Sequence, residues 1–125
     1  MVTTLCFLSD AERTLSECHR VLRLRGSLLV GIVPAESAWG RLYVAKSRER
    51  HPLFSEAKFF TCEQVVRICG DAGFVLEQAI SCLQTSPGEE PMPSLEEGIN
   101  ESTGFVAMRF QRHRTRNSSE TVNRK

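Results

Sequence analysis

Long hydrophobic runs are missing from this sequence. Its longest apolar stretch, Leu28 to Pro34, is short and interrupted by Gly31, far below the roughly 18 residues that a membrane-spanning helix needs. The N-terminus has no basic segment followed by an apolar one, which argues against a secretory leader. Charge of one sign is also lacking. Sixteen Lys and Arg stand against fifteen Asp and Glu. The distribution is uneven: residues 112–125 carry net +4, which leaves −3 for residues 1–111. A net-acidic body with a basic tail that lacks aromatics argues against nucleic-acid binding. Paired cysteines are absent too. The five, Cys6, Cys18, Cys62, Cys69 and Cys82, are odd in number and form no C-x-x-C pair. They read as reduced thiols, with a cytoplasmic location as the natural expectation. The three histidines, His19, His51 and His113, have no ligand spacing, so no metal site is expected. No Ser-His-Asp or Cys-His arrangement can be nominated, and the catalytic residue stays unknown. No G-x-G-x-x-G loop occurs either, because Gly26, Gly31 and Gly40 lie too far apart.

The remainder is ordinary globular composition, with 41% hydrophobic and 25% charged residues. The length allows one domain with a sizeable core. Ser9-Asp10-Ala11-Glu12 has the form of a capping box at a helix start. Ala11, Leu15, Cys18 and Leu22 follow at spacings that share one helical face. Gly26 is expected to stop that helix. Residues 27–33 are continuously apolar, as in a strand buried on both faces of a parallel sheet, and Pro34 ends them. Residues 36–50 predict a second helix, with Trp39, Leu42, Tyr43 and Lys46 on one face. His51-Pro52 breaks it, and a loop with Phe54, Phe59 and Phe60 follows. Thr61-Cys62-Glu63-Gln64 is a second capping box, leading into the stripe Cys62, Val65, Cys69 and Ala72. Gly73 sits where a C′ glycine would end the helix. Val75 to Leu83 predicts a strand, residues 85–103 a long loop, and Gly104 to Phe110 a final strand. The central character of strand 27–33, with so little sequence before the first helix, gives the expectation that the front half of a larger α/β sheet is not among these residues.

In that order the residues resemble the second half of class I S-adenosylmethionine-dependent methyltransferases, closest to the small-molecule, quinone-biosynthesis-like type and to methyltransferase type 11. Thr3 to Asp10 is similar to the family's fourth strand end and its polar loop. Leu15 to Leu22 matches L-x-E-x-x-R-V-L through Glu17, Arg20, Val21 and Leu22. Gly26 and Leu28 to Val33 match the K-P-G-G turn and the fifth strand, although Leu24 and Arg25 replace Pro and the first Gly. Phe60 to Val65 and Asp71 to Phe74 resemble the F-T-x-E-E-L…A-G-F passage before the sixth strand. Gly104 to Arg109 resembles the seventh.

The resemblance implies an α/β fold, the C-terminal half of a Rossmann-like methyltransferase sheet. The order is helix, strand 5, helices, strand 6 and an antiparallel strand 7 beside strand 5 in a mainly parallel sheet. Residues 1–111 would be a partial methyltransferase domain lacking the cofactor-loop half, and 112–125 a basic disordered tail. The whole enzyme would use S-adenosylmethionine as cofactor and methylate a small-molecule acceptor; this chain by itself is expected to be inactive and to bind the cofactor weakly if at all. The resemblance further implies that Thr3, Thr4 and Leu5 line the cofactor and that Trp39, Arg41 and Tyr43 stand on the substrate side. The plainer reading makes residues 3–5 a frayed terminus, packs Trp39 and Tyr43 on the sheet, and leaves Arg41 and Lys46 solvated. A rival from another class is a non-catalytic interaction domain that self-associates through an exposed sheet edge.

Overall fold

A computed structural model describes residues 1–49, 57–90 and 94–113. A 3-10 turn at Leu5–Phe7 leads to helix α1 (Ala11–Val21), strand β1 (Ser27–Ile32), helices α2 (Ala38–Arg48) and α3 (Cys62–Asp71), and strands β2 (Phe74–Cys82), β3 (Leu95–Glu97) and β4 (Phe105–Arg112). The sheet order is β1-β4-β2-β3, and every pairing between these strands is antiparallel. The mainly parallel sheet is therefore corrected for these residues. β4 enters between β1 and β2, so those two run in the same direction without touching. The only parallel pairing among the described residues is a single bridge from Val2 to Gly31. The antiparallel final strand beside β1 is as expected.

One face of the sheet holds the core. Leu28, Val30 and Ile32 of β1 stand opposite Phe110, Met108 and Val106 of β4, and all six are buried. Leu5 and Leu15 join them, with Val65 and Cys69 from α3. The other face of β1 is open: Leu29 is 61% exposed, so the strand is not buried on both sides as its continuous apolarity predicts. Its outer edge is partly covered. The Gly31 N–H donates to Met1 O at 2.8 Å, and the Thr3 N–H to Gly31 O at 2.9 Å. The edge expected to be free for self-association is thus occupied at these positions by the chain's own first residues.

Helix starts follow local chemistry. The α1 N-cap is Asp10, whose Oδ1 accepts the Arg13 N–H at 3.0 Å, so the cap sits one residue beyond Ser9. Glu17 and Arg20 of the helix motif pair with each other on the exposed side. The α3 box is complete: Thr61 Oγ1 accepts the Gln64 N–H, and Gln64 Oε1 accepts the Thr61 N–H. Gly73 follows with φ +94°, a conformation open to glycine because it lacks Cβ. The loop expected over 85–103 contains β3, which pairs with Ile80, Ser81 and Cys82. The final strand runs through Arg112, so the expected tail loses its first residue to the sheet; residues 114–125, like His51 and Phe54, lie outside the described residues. Among the described residues no helix is long and apolar enough to cross a membrane.

Candidate functional site

A pocket of about 260 Å³ opens at the C-terminal end of β1. Its floor is Ile32 and Val33. The first segment of the chain supplies one wall through Thr3, Leu5, Cys6 and Phe7. The opposite wall is Tyr43 of α2 with Phe59 and Phe60, the two aromatics just before the α3 cap. Backbone bonds lock these segments together. The Lys58 N–H donates to Cys6 O at 2.7 Å, and the Ala35 N–H donates to Phe60 O at 3.0 Å. The Tyr43 and Phe59 rings are nearly parallel, 9° apart with centroids at 6.4 Å, within the range of offset stacking. The Lys46 ammonium lies 5.9 Å from the Tyr43 ring centroid.

Proline, cap and glycine chemistry positions α2 over this pocket. Pro34 ends β1, and Ser37 Oγ donates to Pro34 O at 2.7 Å while accepting the Gly40 N–H at 2.9 Å. A Cβ on residue 40 would sit 2.0 Å from Pro34 O. Only glycine permits so close an approach of the helix to the strand end.

The structure brings together some of the expected site residues and separates others. Thr3 and Leu5 line the pocket alongside Tyr43, so the two predicted sites meet there. The Thr3 and Thr4 hydroxyls both donate to Val2 O, at 2.8 and 3.0 Å, which commits those donors locally. Leu5 is buried and doubles as core. Trp39 does not line the pocket. Its indole N–H donates to Thr85 O at 2.8 Å, and its ring lies against Gly104, so it clamps the loop after β2. Arg41 is exposed and borders a separate shallow depression with Arg48 and Glu49. Phe59 and Phe60 are the residues that sequence reasoning left without a role. The usable signal was two adjacent aromatics directly preceding a capping box.

Titration behaviour agrees with an apolar interior. Burial pushes the Cys6 thiol up from its ordinary value. Cys69 is pushed up to about 12, by burial first and by Cys18 second. Cys62 is raised by burial and then by the neighbouring Glu101 carboxylate. All five cysteines are free. His19 Nε2–H donates to His113 O at 2.8 Å and meets Phe74 edge-on, a packing role. Among the described residues no group of three or more His, Cys, Asp or Glu side chains could hold a metal ion.

S-adenosylmethionine, the cofactor that the resemblance implies, carries ribose hydroxyls and a charged methionine end. None of the nine pocket-lining residues is acidic or glycine, and both threonine hydroxyls are engaged by Val2. Ribose hydroxyls and a charged methionine end need such partners. The described residues do not fit as a cofactor site.

No family model matches the sequence. A SAM-dependent methyltransferase from Thermotoga maritima, described as a possible histamine N-methyltransferase, aligns in structure with TM-score 0.80 and 35% identity, covering 90% of this chain and 54% of that one. An uncharacterized protein of Mycobacterium tuberculosis is 29% identical over 110 residues, covering 86% of this chain and 39% of its own length. One from Methanocaldococcus jannaschii is 26% identical over 106 residues, covering 85% of this chain and 51% of its own length. The chain thus spans roughly half or less of each of these proteins, and over the aligned residues it has a class I methyltransferase fold.

Proposed function

We propose that residues 1–111 form the acceptor side of an S-adenosylmethionine-dependent methyltransferase, as the C-terminal portion of its catalytic domain, and that the whole protein methylates a small molecule. The observation that carries this reading is the pocket at the end of β1. It joins Thr3 and Leu5 from the first segment to Tyr43 of α2, at the strand end where open α/β sheets receive ligands, in a chain whose fold matches a methyltransferase. The described residues contribute walls. They position an acceptor and exclude water from it, which is where a transfer reaction gains much of its rate through orientation. S-adenosylmethionine is the methyl donor that the resemblance implies for the whole protein.

A chimera tests the reading. Residues 1–113 replace the matching segment of the Thermotoga methyltransferase. The expected result is a folded protein that binds S-adenosylmethionine. A folded chimera with no cofactor affinity, measured by calorimetry, overturns the proposal.

A further inference from the structure

We infer that the turn joining α1 to β1 is a docking surface for an anionic lipid bilayer. This goes beyond the acceptor-site reading and does not depend on it, because the turn lies at the N-terminal end of β1 and the pocket opens at its C-terminal end. Residues 20–25 read Arg-Val-Leu-Arg-Leu-Arg. Leu22 packs against the core, while Val21 and Leu24 are 67% and 57% exposed. Arg23 and Arg25 are exposed beside them. Among the described residues neither guanidinium has a carboxylate partner. Arg112 of β4 joins the turn, since its backbone N–H donates to Gly26 O and its carbonyl accepts the Arg25 N–H. Its buried Nε has no hydrogen-bond partner among the described residues. Against these cations stand Glu17, which pairs with Arg20, and Asp71 at the end of α3. The turn therefore combines unneutralised positive charge with exposed aliphatic surface.

The mixture selects the partner. A single exposed Val or Leu is ordinary, but here two alternate with unpaired arginines. An anionic bilayer rewards both kinds of side chain: its surface potential attracts the guanidinium groups, and its interface takes up the aliphatic ones. Nucleic acid rewards the charge alone. Its phosphates pair with arginine and its bases stack on aromatic rings, and no Phe, Tyr or Trp occurs between residues 18 and 33. An acidic peptide is held in a groove or along a sheet edge, and side chains more than half exposed on a tight turn offer neither. The backbone adds an independent sign. Arg25 holds φ +67°, a conformation that glycine enters freely and arginine only at a cost. A cation kept there at the expense of stability is what a binding surface requires.

The test is co-sedimentation of the full chain with phosphatidylcholine vesicles that do or do not contain phosphatidylserine. The expected result is binding to the anionic vesicles that is tighter on the order of tenfold or more. It should be lost as salt shortens the Debye length from about 10 Å at about 0.1 M to about 3 Å at about 1 M. Arg25→Gly should weaken binding about fivefold, the share of one cation near such a surface, while raising thermal stability, a split that a merely structural role would not produce. Leu24→Gln should weaken it about fivefold without changing its salt dependence. Val21→Gln acts in the same direction and carries the test if Leu24→Gln unfolds. When anionic bicelles are added to the ¹⁵N-labelled chain, the amide signals of Leu24, Arg25, Gly26 and Ser27 should lose intensity before those of Leu5 and Val33 at the pocket. Equal affinity for the two kinds of vesicle, or none for either, overturns the inference. So does broadening that begins at the pocket, or unchanged binding in both glutamine variants, which would leave charge attraction alone. Binding abolished by changing Arg114, Arg116, Arg124 and Lys125 together to glutamine would assign it to those residues and overturn it too. Duplex DNA bound more tightly than the anionic vesicles, with no loss in Leu24→Gln, would make the turn a nucleic-acid surface instead.

Discussion

At Arg25 the backbone turns with φ +67°, in the left-handed region that costs an L-residue about 1–2 kcal/mol. The turn from α1 into β1 needs that conformation, because the Gly26 N–H reaches Arg23 O at 2.7 Å and the Arg25 N–H reaches Arg112 O at 3.3 Å. The family pattern has glycine at this position, and the sequence therefore marked the departure without revealing its consequence. Spacing shows which residue stands in a turn, whereas its φ depends on how β4 holds the turn from the other side. Arg25→Gly relieves the strain and gives back part of the gain through the greater freedom of glycine in the unfolded chain. The expected net stabilisation is about 0.5–1 kcal/mol, or about 2–4 °C in melting temperature for a domain of this size. Arg25→Ala keeps the strain and should show no such gain. Thermal melts of both variants check this, and equal melting temperatures for the two would exclude strain at residue 25.

Two carboxyl or amide groups and one hydroxyl hold the start of α3, and only the local ones were legible. Thr61 and Gln64 exchange bonds within four residues, so a single sequence window reveals them. Glu101 comes from the segment before β4: its Oε1 accepts the Cys62 N–H at 2.7 Å and its Oε2 the Glu63 N–H at 3.4 Å. Its charge also faces the positive end of the helix. No local pattern could have placed it there, since it depends on β4 returning beside β2. The two caps serve different N–H groups. Thr61→Ala should cost about 1 kcal/mol, and Glu101→Ala about 1–2 kcal/mol, because a charged acceptor is lost from partly buried donors. Urea denaturation of the single and double variants measures both; an unchanged midpoint for Glu101→Ala would show that its carboxylate does not cap α3 in solution. β2 shows a second limit of local reading. Leu76 stands opposite Phe110 but Gln78 stands opposite Arg109, so Glu77 is an extra residue in the ladder. The bulge switches the inward set from Phe74 and Leu76 to Ala79 and Ser81. That is why strict alternation fails along the strand.

The order of the longer helices and strands, the antiparallel last strand and the apolar stripes of α1 and α3 were readable, because each rests on local periodicity or on motif order; β3 was not, because its three residues lie within a segment that reads as loop. The pocket was half readable. Tyr43, Thr3 and Leu5 were nominated through the resemblance, but Phe59 and Phe60 reach the site through backbone bonds of Lys58 to Cys6 and of Phe60 to Ala35 that no spacing encodes. The same geometry supplies the prediction about the molecule as a whole. These 125 residues hold no G-x-G-x-x-G loop, and among the described residues the pocket presents no carboxylate. Cofactor affinity in such folds depends on close backbone approach at a glycine turn and on an acidic partner for the ribose. Without three such polar contacts, at about 1–1.5 kcal/mol each, binding weakens on the order of a hundred- to several-thousand-fold. A micromolar site then falls to roughly 0.1 mM to several millimolar. Calorimetric titration of the purified chain with S-adenosylmethionine is therefore expected to give no saturable heat in the micromolar range. Saturable low-micromolar binding would mean that a complete cofactor site is built from these residues, and the division of labour proposed for them would fall, because the walls around Tyr43 would then have to hold the donor themselves.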